Sequence, residues 1–307
     1  MKIATTTGDF AFYCDNDEQR IRELHRAGFR YIDLNLYTLN LDCAYMSDNW
    51  RDSVAHIKSV ADELGMTFVQ AHSPGGNPLS DDASHVDCLL KATIRSIEIC
   101  EMLGIKNTVT HNGQKLGLSK EEWFVKNKDF LKKLFPTLEK CGVNLLCENS
   151  CRSNMGAAYF INTGHDMREF IKYVGHPQIH GCWDTGHANC EGSQHDEIMA
   201  VGDELYAIHY NDNHGIKDDH VAPFLGRMNH DEVINALIDV GFKGNFTLEC
   251  DSSLIKYNQW TGKRRRFKEN ELDLKLSEPQ LFMQRHIEAL MYDTAEWMLK
   301  SYGLFEE

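Results

Sequence analysis

Lys140-Cys141-Gly142-Val143-Asn144-Leu145-Leu146-Cys147-Glu148-Asn149 contains the joint from which the whole chain is assembled. An amphipathic run stops at a glycine, an apolar residue follows, and a short apolar strand rises to end on an acid. Glycine just past a helix takes the left-handed conformation that satisfies the last carbonyls, and the next apolar residue packs back. The same phrase recurs at Arg26-Ala27-Gly28-Phe29, Glu63-Leu64-Gly65-Met66, Met102-Leu103-Gly104-Ile105 and Asp239-Val240-Gly241-Phe242. Each marks a helix-to-strand junction, so short apolar runs alternate with longer amphipathic ones, the pattern of βα units on a parallel sheet.

Working outward, eight strands are expected at 2–6, 31–36, 67–72, 107–111, 143–148, 179–184, 205–210 and 246–251. Helical periodicity covers 18–27, 48–64, 84–103, 120–140, 231–240 and 279–302, with shorter pieces at 166–173 and 196–201. In the second of these Trp50, Val54, Ile57 and Val60 fall on one face. The fourth opens on Ser119 with Glu122 three residues on, a capping-box signature, and the last has Pro279 at its start. Eight units favour a closed barrel over an open doubly wound sheet. The expectation is an α/β fold, a single (β/α)8 TIM barrel spanning 1–307 as one domain, with its active site at the C-terminal ends of the strands. The 252–278 stretch is longer than one βα connection needs. It is expected to cover the mouth or to join a neighbouring subunit in a homo-oligomer, dimer or tetramer.

Composition narrows the function. With 307 residues, 42% hydrophobic and 25% charged, the chain has material for a sizeable core. No run approaches the roughly 18 apolar residues of a membrane span. Met1 to Thr7 reads as a first strand with no signal-peptide core, so a cytoplasmic protein is expected. Ten cysteines without a C-x-x-C pair are read as reduced, mostly buried thiols; those beside Glu148 and Glu249 should face away from whatever the glutamates face. A formal charge of −14 argues against nucleic-acid or membrane-surface partners. The one basic run, at 263–268, is read as a solvated loop or subunit contact.

The strand ends carry the chemistry. The third stops at His72, the fourth at His111, the fifth at Glu148; the sixth gives Asp184 and His187, the seventh His209 followed by Asp218 and His220, the eighth Glu249. In a barrel all converge on one mouth. Taken singly, His72 and His111 have plainer readings as turn or satisfied buried histidines, and Asp218 and His220 as solvated loop residues. Glutamates closing buried strands are seldom left unpaired, so Glu148 and Glu249 point to function. So many acids and imidazoles together would repel without a cation among them. Glu148, Asp184, His209 and Glu249 make a three-carboxylate, one-imidazole set suited to Mn2+ or Mg2+, with Zn2+ or Co2+ as further candidates.

Trp183-Asp184-Thr185-Gly186-His187, His209-Tyr210-Asn211-Asp212-Asn213, Asp218-Asp219-His220 with Pro223, and Leu248-Glu249 together resemble the xylose isomerase-like TIM-barrel superfamily over most of the chain. That superfamily holds sugar isomerases and epimerases together with endonuclease IV-type enzymes. The resemblance implies one divalent metal at Glu148, Asp184, His209 and Glu249, and an isomerase or epimerase of a keto- or aldo-sugar or inosose working through an enediolate. Glu148 and Glu249 would be the catalytic acid and base. His72, His111, His187, Trp183, Asp218 and His220 would bind the carbohydrate, with Tyr210 or Phe224 as further aromatic candidates. The endonuclease branch has additional ligands matching His72, His111, His187, Asp218 and His220, so a zinc phosphodiesterase is the alternative, and a lyase or dehydratase on the same metal site is a nearer one. Two departures stand out: His111-Asn112-Gly113 where the endonucleases carry Pro-Gly after the histidine, and Pro223-Phe224-Leu225-Gly226 where sugar enzymes often carry Pro-Gly-x-Gly.

Overall fold

A computed structural model describes residues 1–39, 41–254, 276 and 278–307. Eight parallel strands form one sheet: β1 Ile3–Thr6, β2 Tyr31–Asn35, β3 Thr67–His72, β4 Asn107–Thr110, β5 Asn144–Glu148, β6 Ile179–Asp184, β7 Leu205–His209 and β8 Phe246–Leu248. Their order is β7-β6-β5-β4-β3-β2-β1-β8. The open ends meet just beyond β7, where Tyr210 N donates to Thr247 O at 2.7 Å and Glu249 N to Tyr210 O at 3.2 Å. This seam closes the sheet into the (β/α)8 barrel that the repeated junctions predict.

Around it run α1 Asp17–Ala27, α2 Trp50–Glu63, α3 Ala83–Leu103, α4 Lys120–Leu131, α5 Phe135–Cys141, α6 Arg152–Met155, α7 Gly164–Val174, α8 Thr185–Glu191, α9 His195–Val201, α10 His230–Asp239 and α11 Leu281–Ser301. Gly28, Gly65, Gly104, Gly142 and Gly241 all have positive φ, from 63° to 112°, as the helix-closing reading requires. The 120–140 segment departs from expectation. It is two helices, because Pro136 has no N–H for the carbonyl four residues back and its ring clashes with it, so the chain re-starts at α5. The capping box at Ser119 and Glu122 is complete. Helix α11 begins at Leu281, leaving Pro279 ahead of its N-cap Gln280. Residues 255–275 of the expected mouth-covering loop, including Trp260 and the basic run, lie outside the described residues. Among the described residues no helix is long and apolar enough to cross a membrane.

The two-residue period of the strands decides what faces where. Val109, Leu146, Cys182 and Ala207 form a small apolar cluster inside the barrel, whereas Leu145, Cys147, Trp183 and Ile208 belong to the large core between sheet and helices. Three neighbouring strands therefore end, on their inward face, at Glu148, Asp184 and His209. Cys147 and Cys250 are fully buried away from the glutamates, with Cys147 Sγ donating to Asn112 Oδ1 and Cys250 Sγ to Tyr210 O.

Helix α11 docks over a buried acid pair. Asp9, in the turn after β1, accepts from Thr5 Oγ1 at 3.0 Å, and Glu288 accepts from Gln284 Nε2 at 2.9 Å. Asp9 Oδ1 and Glu288 Oε2 are buried with no hydrogen-bond partner of good geometry among the described residues other than each other's carboxyl. Burial, reinforced by the charge of Asp251, pushes Glu288 up to about 8, although the bonds from Gln284 and Asp9 work the other way. Burial and the facing Glu288 raise Asp9 well above the carboxylate range. In the sign of the linkage, a carboxyl raised on folding favours the native state fully below its ordinary value of 4.5, and that contribution is lost as pH climbs through about 8. Conformational stability, read from urea midpoints, is therefore expected to fall between about pH 5 and 8. The Glu288→Gln protein should show a shallower fall.

Candidate metal centre and active-site mouth

Strand β6 leaves the sheet by entering α8 directly. Asp184 is the N-cap, its Oδ1 accepting from His187 N at 2.6 Å, and its Oδ2 accepts from Asn211 Nδ2 at 2.8 Å. Asn149 grips the Asp184 backbone from β5, accepting from its N at 2.7 Å and donating to its O at 3.0 Å. Gly186 makes room for this, since a Cβ there would lie 1.8 Å from Asn211 Oδ1. The helix turns His187 back over the acid, with Nδ1 3.4 Å from Asp184 Oδ1 and Nε2 2.9 Å from Asp218 Oδ2.

Glu148, Asp184, His209 and Glu249, from four consecutive strands or their ends, each offer one donor atom within 4.8 Å of the others. His209 Nδ1 lies 2.7 Å from Glu148 Oε1 and 3.2 Å from Glu249 Oε2. Glu148 Oε2 is 3.4 Å from His72 Nε2 and 3.3 Å from His111 Nε2. Beside this group, His187, Asp218 and His220 form a second cluster of the same tightness. His220 Nε2 is 2.9 Å from Asp218 Oδ1, and Asn154 Nδ2 donates to Asp218 Oδ2 at 3.0 Å.

Burial opposes ionisation of Glu148, but the charges and hydrogen bonds of His209, His111 and His72 hold it well below the usual range. Burial raises Glu249, with Glu148 adding to the rise and His209 opposing it. Burial, aided by the neighbouring imidazoles, lowers His111 to about 4. Burial likewise disfavours charge on His187, yet Asp184 and Asp218 lift it well above its ordinary value. Two carboxylates pushed in opposite directions within one pocket are a recurrent sign of acid and base roles.

The residues fit a divalent cation. Three carboxylates and one imidazole are a hard, oxygen-rich donor set of the kind that Mn2+ and Mg2+ take. Glu148 Oε2 is buried with only the long approaches of His72 Nε2 and His111 Nε2, at 3.4 and 3.3 Å, so it is under-satisfied in a way that a cation would relieve. No lysine or arginine is among the described residues that line the cavity. A buried acidic cluster whose neutralising side chains are all histidines that must take on charge away from water is one that a cation would relieve.

A cavity of about 450 Å3 opens above the cluster, and His72, His111, Glu148, His187, Asp218, His220 and Glu249 all line it. Asp184 and His209 are fully buried below. Trp183 is elsewhere: being one residue before an inward-facing acid, it points into the outer core, where Nε1 donates to Gln194 Oε1 at 3.1 Å. Tyr210 is buried with its hydroxyl on His230, and Phe224 lies half exposed against His230 and Trp297. The aromatic wall of the cavity is Tyr37, edge-on to His72 at 5.3 Å and to His111 at 6.2 Å between ring centres. It follows the second strand by two residues, so inspecting that strand's end as closely as the others would have found it. Asn154 and Gln114 complete a polar rim.

A parallel barrel whose strand ends gather carboxylates and imidazoles about one cavity at the C-terminal mouth belongs to the (β/α)8 class. Within it, the chain belongs to the xylose isomerase-like TIM barrel family, which matches residues 21–270. Among solved structures it is similar to D-psicose 3-epimerase from Clostridium cellulolyticum H10, at 19% identity, TM-score 0.73 and coverage of 97% of this chain and 99% of that one. It is also similar to L-ribulose 3-epimerase (18%, TM-score 0.71, 99% and 98%) and to an AP endonuclease of family 2 from Brucella melitensis (17%, TM-score 0.64, 81% and 93%). At such identities the likeness is one of fold. Matches to curated relatives are short: two uncharacterized proteins, from Sinorhizobium fredii and Methanocaldococcus jannaschii, are 35% and 27% identical over 26% and 28% of this chain, and the chain spans only 26% and 31% of their lengths.

Proposed function

We propose that this protein is a divalent-metal-dependent isomerase or epimerase of a keto- or aldo-sugar or inosose. The observation that carries the reading is the pair Glu148, buried, and Glu249, partly buried, two carboxylates bracketing His209 at the floor of an imidazole-lined cavity. The fold likeness to sugar 3-epimerases supports it. A cation held by Glu148, Asp184, His209 and Glu249 would polarise the substrate carbonyl, which makes the adjacent C–H acidic. One glutamate takes that proton, and the other returns a proton to the opposite face or to the neighbouring carbon. His72, His111, His187 and His220 face the cavity as hydrogen-bonding partners for hydroxyls, and the Tyr37 ring covers an apolar sugar face.

The test is a screen of ketoses, aldoses and inososes in D2O with Mn2+ or Mg2+, reading deuterium at the carbon beside the carbonyl by mass spectrometry. The expected result is exchange and a new epimer or isomer for one substrate class. A substrate that loses water instead would mark a lyase or dehydratase on the same site.

The second cluster at His187, Asp218 and His220 favours one rival, a zinc phosphodiesterase of the endonuclease IV type. Against it stand the net charge of −14 and the lack of cationic side chains among the described cavity residues. Two or three zinc ions per chain with cleavage of abasic-site DNA would overturn the sugar reading.

A further inference from the structure

We propose that Asp33 is a positioning residue for the metal centre, acting through His209. It is the middle residue of β2, fully buried, and points into the barrel like the ligands above it. His209 turns Nδ1 toward Glu148 and Glu249, which leaves Nε2 pointing the other way, 3.5 Å from Asp33 Oδ2. Among the described residues His209 Nε2 has no other polar partner, Asp33 Oδ2 also accepts from Gln70 Nε2, and Asp33 Oδ1 has none. A buried ring nitrogen whose nearest polar neighbour is a buried carboxylate oxygen pairs with it, because left unmade that bond would cost the ring nitrogen its full desolvation, and a single amide donor leaves the carboxylate under-satisfied.

The surroundings support a device, not a filler. Gln70, across the register from Asp33 on β3, donates Nε2 to Asp33 Oδ2 at 3.1 Å, and Thr247 Oγ1 on β8 is 3.5 Å from Gln70 Oε1. The inner layer beneath the site is thus polar on this side and apolar on the side of Val109, Leu146, Cys182 and Ala207. A neutral amide contact alone does not offset burial of a carboxylate, whereas a ring N–H does so while fixing the tautomer that leaves Nδ1 free as a donor to a cation. A carboxylate behind a ligating histidine also increases the basicity of that ligand, and removing such partners typically weakens metal binding about 10–100-fold.

This inference rests on the metal reading of the site. The test is Mn2+ affinity of the full chain by competition with a chelator, for wild type, Asp33→Asn and Asp33→Ala, with 15N NMR of His209 in the metal-free proteins as a second readout. Asp33→Asn keeps an oxygen for Gln70 and the ring and removes the charge, so it covers the case in which Asp33→Ala does not fold. Expected are about 10-fold weaker binding for Asp33→Asn, up to about 100-fold for Asp33→Ala, and a shift of His209 away from the Nε2–H tautomer in the alanine protein. Wild-type affinity and an unchanged tautomer in both variants would overturn the inference alone. A wild-type protein that binds no divalent cation would instead overturn the metal reading itself.

Discussion

Glutamine in place of Glu148 or Glu249 is expected to cut turnover of the true substrate by about 10²–10⁴-fold, the usual worth of a positioned acid or base. The exchange is nearly isosteric, so the core around Glu148, which is 1% exposed, keeps its shape. Both residues are also in the donor set, and the measurement must therefore be made at Mn2+ concentrations shown to saturate each variant. Two carboxylates serving opposite faces of the substrate, as the proposed proton transfer requires, make a sharper forecast than loss of rate. Each variant should still exchange one epimer's proton with solvent, through the glutamate that remains, while failing to convert it to the other epimer. Near-normal conversion by metal-loaded Glu148→Gln would show that proton transfer runs through some other group.

Chelation is expected to have the second-largest effect. With EDTA in excess the activity should fall to background, and added Mn2+ or Mg2+ should restore it. Stability should follow, because an ion that binds only the folded chain adds about 2.7 kcal/mol when present at 100 times its dissociation constant. For a chain of this size that amounts to several degrees in Tm, roughly 2–4 °C per kcal/mol. The cause is electrostatic. Without the ion, Glu148, Asp184 and Glu249 crowd within 4.8 Å, relieved only by histidines that must take on charge in a buried site. Full activity and an unchanged Tm in exhaustively chelated protein would rule out a metal requirement.

Much of this was legible in the chain because two local rules operate without interference. Glycine after a helix and apolar alternation along a strand are decided by neighbours in sequence, and they located all eight strands to within a few residues. The clustering of Glu148, Asp184, His209 and Glu249 followed from barrel topology once the strand ends were known. What escaped depends on rotation or on distant partners. Trp183 is adjacent to Asp184 in sequence and on the opposite face of the sheet, a difference that a reading by proximity to the motif misses. Asp33 lies in mid-strand, so its meaning appears only when β7 brings His209 alongside. Asp9 and Glu288 are far apart in the chain and are buried together only once α11 docks. Helix α8 was hidden because Asp184 is at once the strand's last residue and the helix's cap.

The seam between Tyr210 and Leu248 has a mechanical consequence. Seven of the eight joins in the cylinder are laced by runs of paired residues, and this one is held by a single stitch. His209 stands on one lip of that slit and Glu249 on the other. An ion gripped by both would act as a rivet, so the same charge that activates substrate would keep the staves from parting where they are most loosely bound.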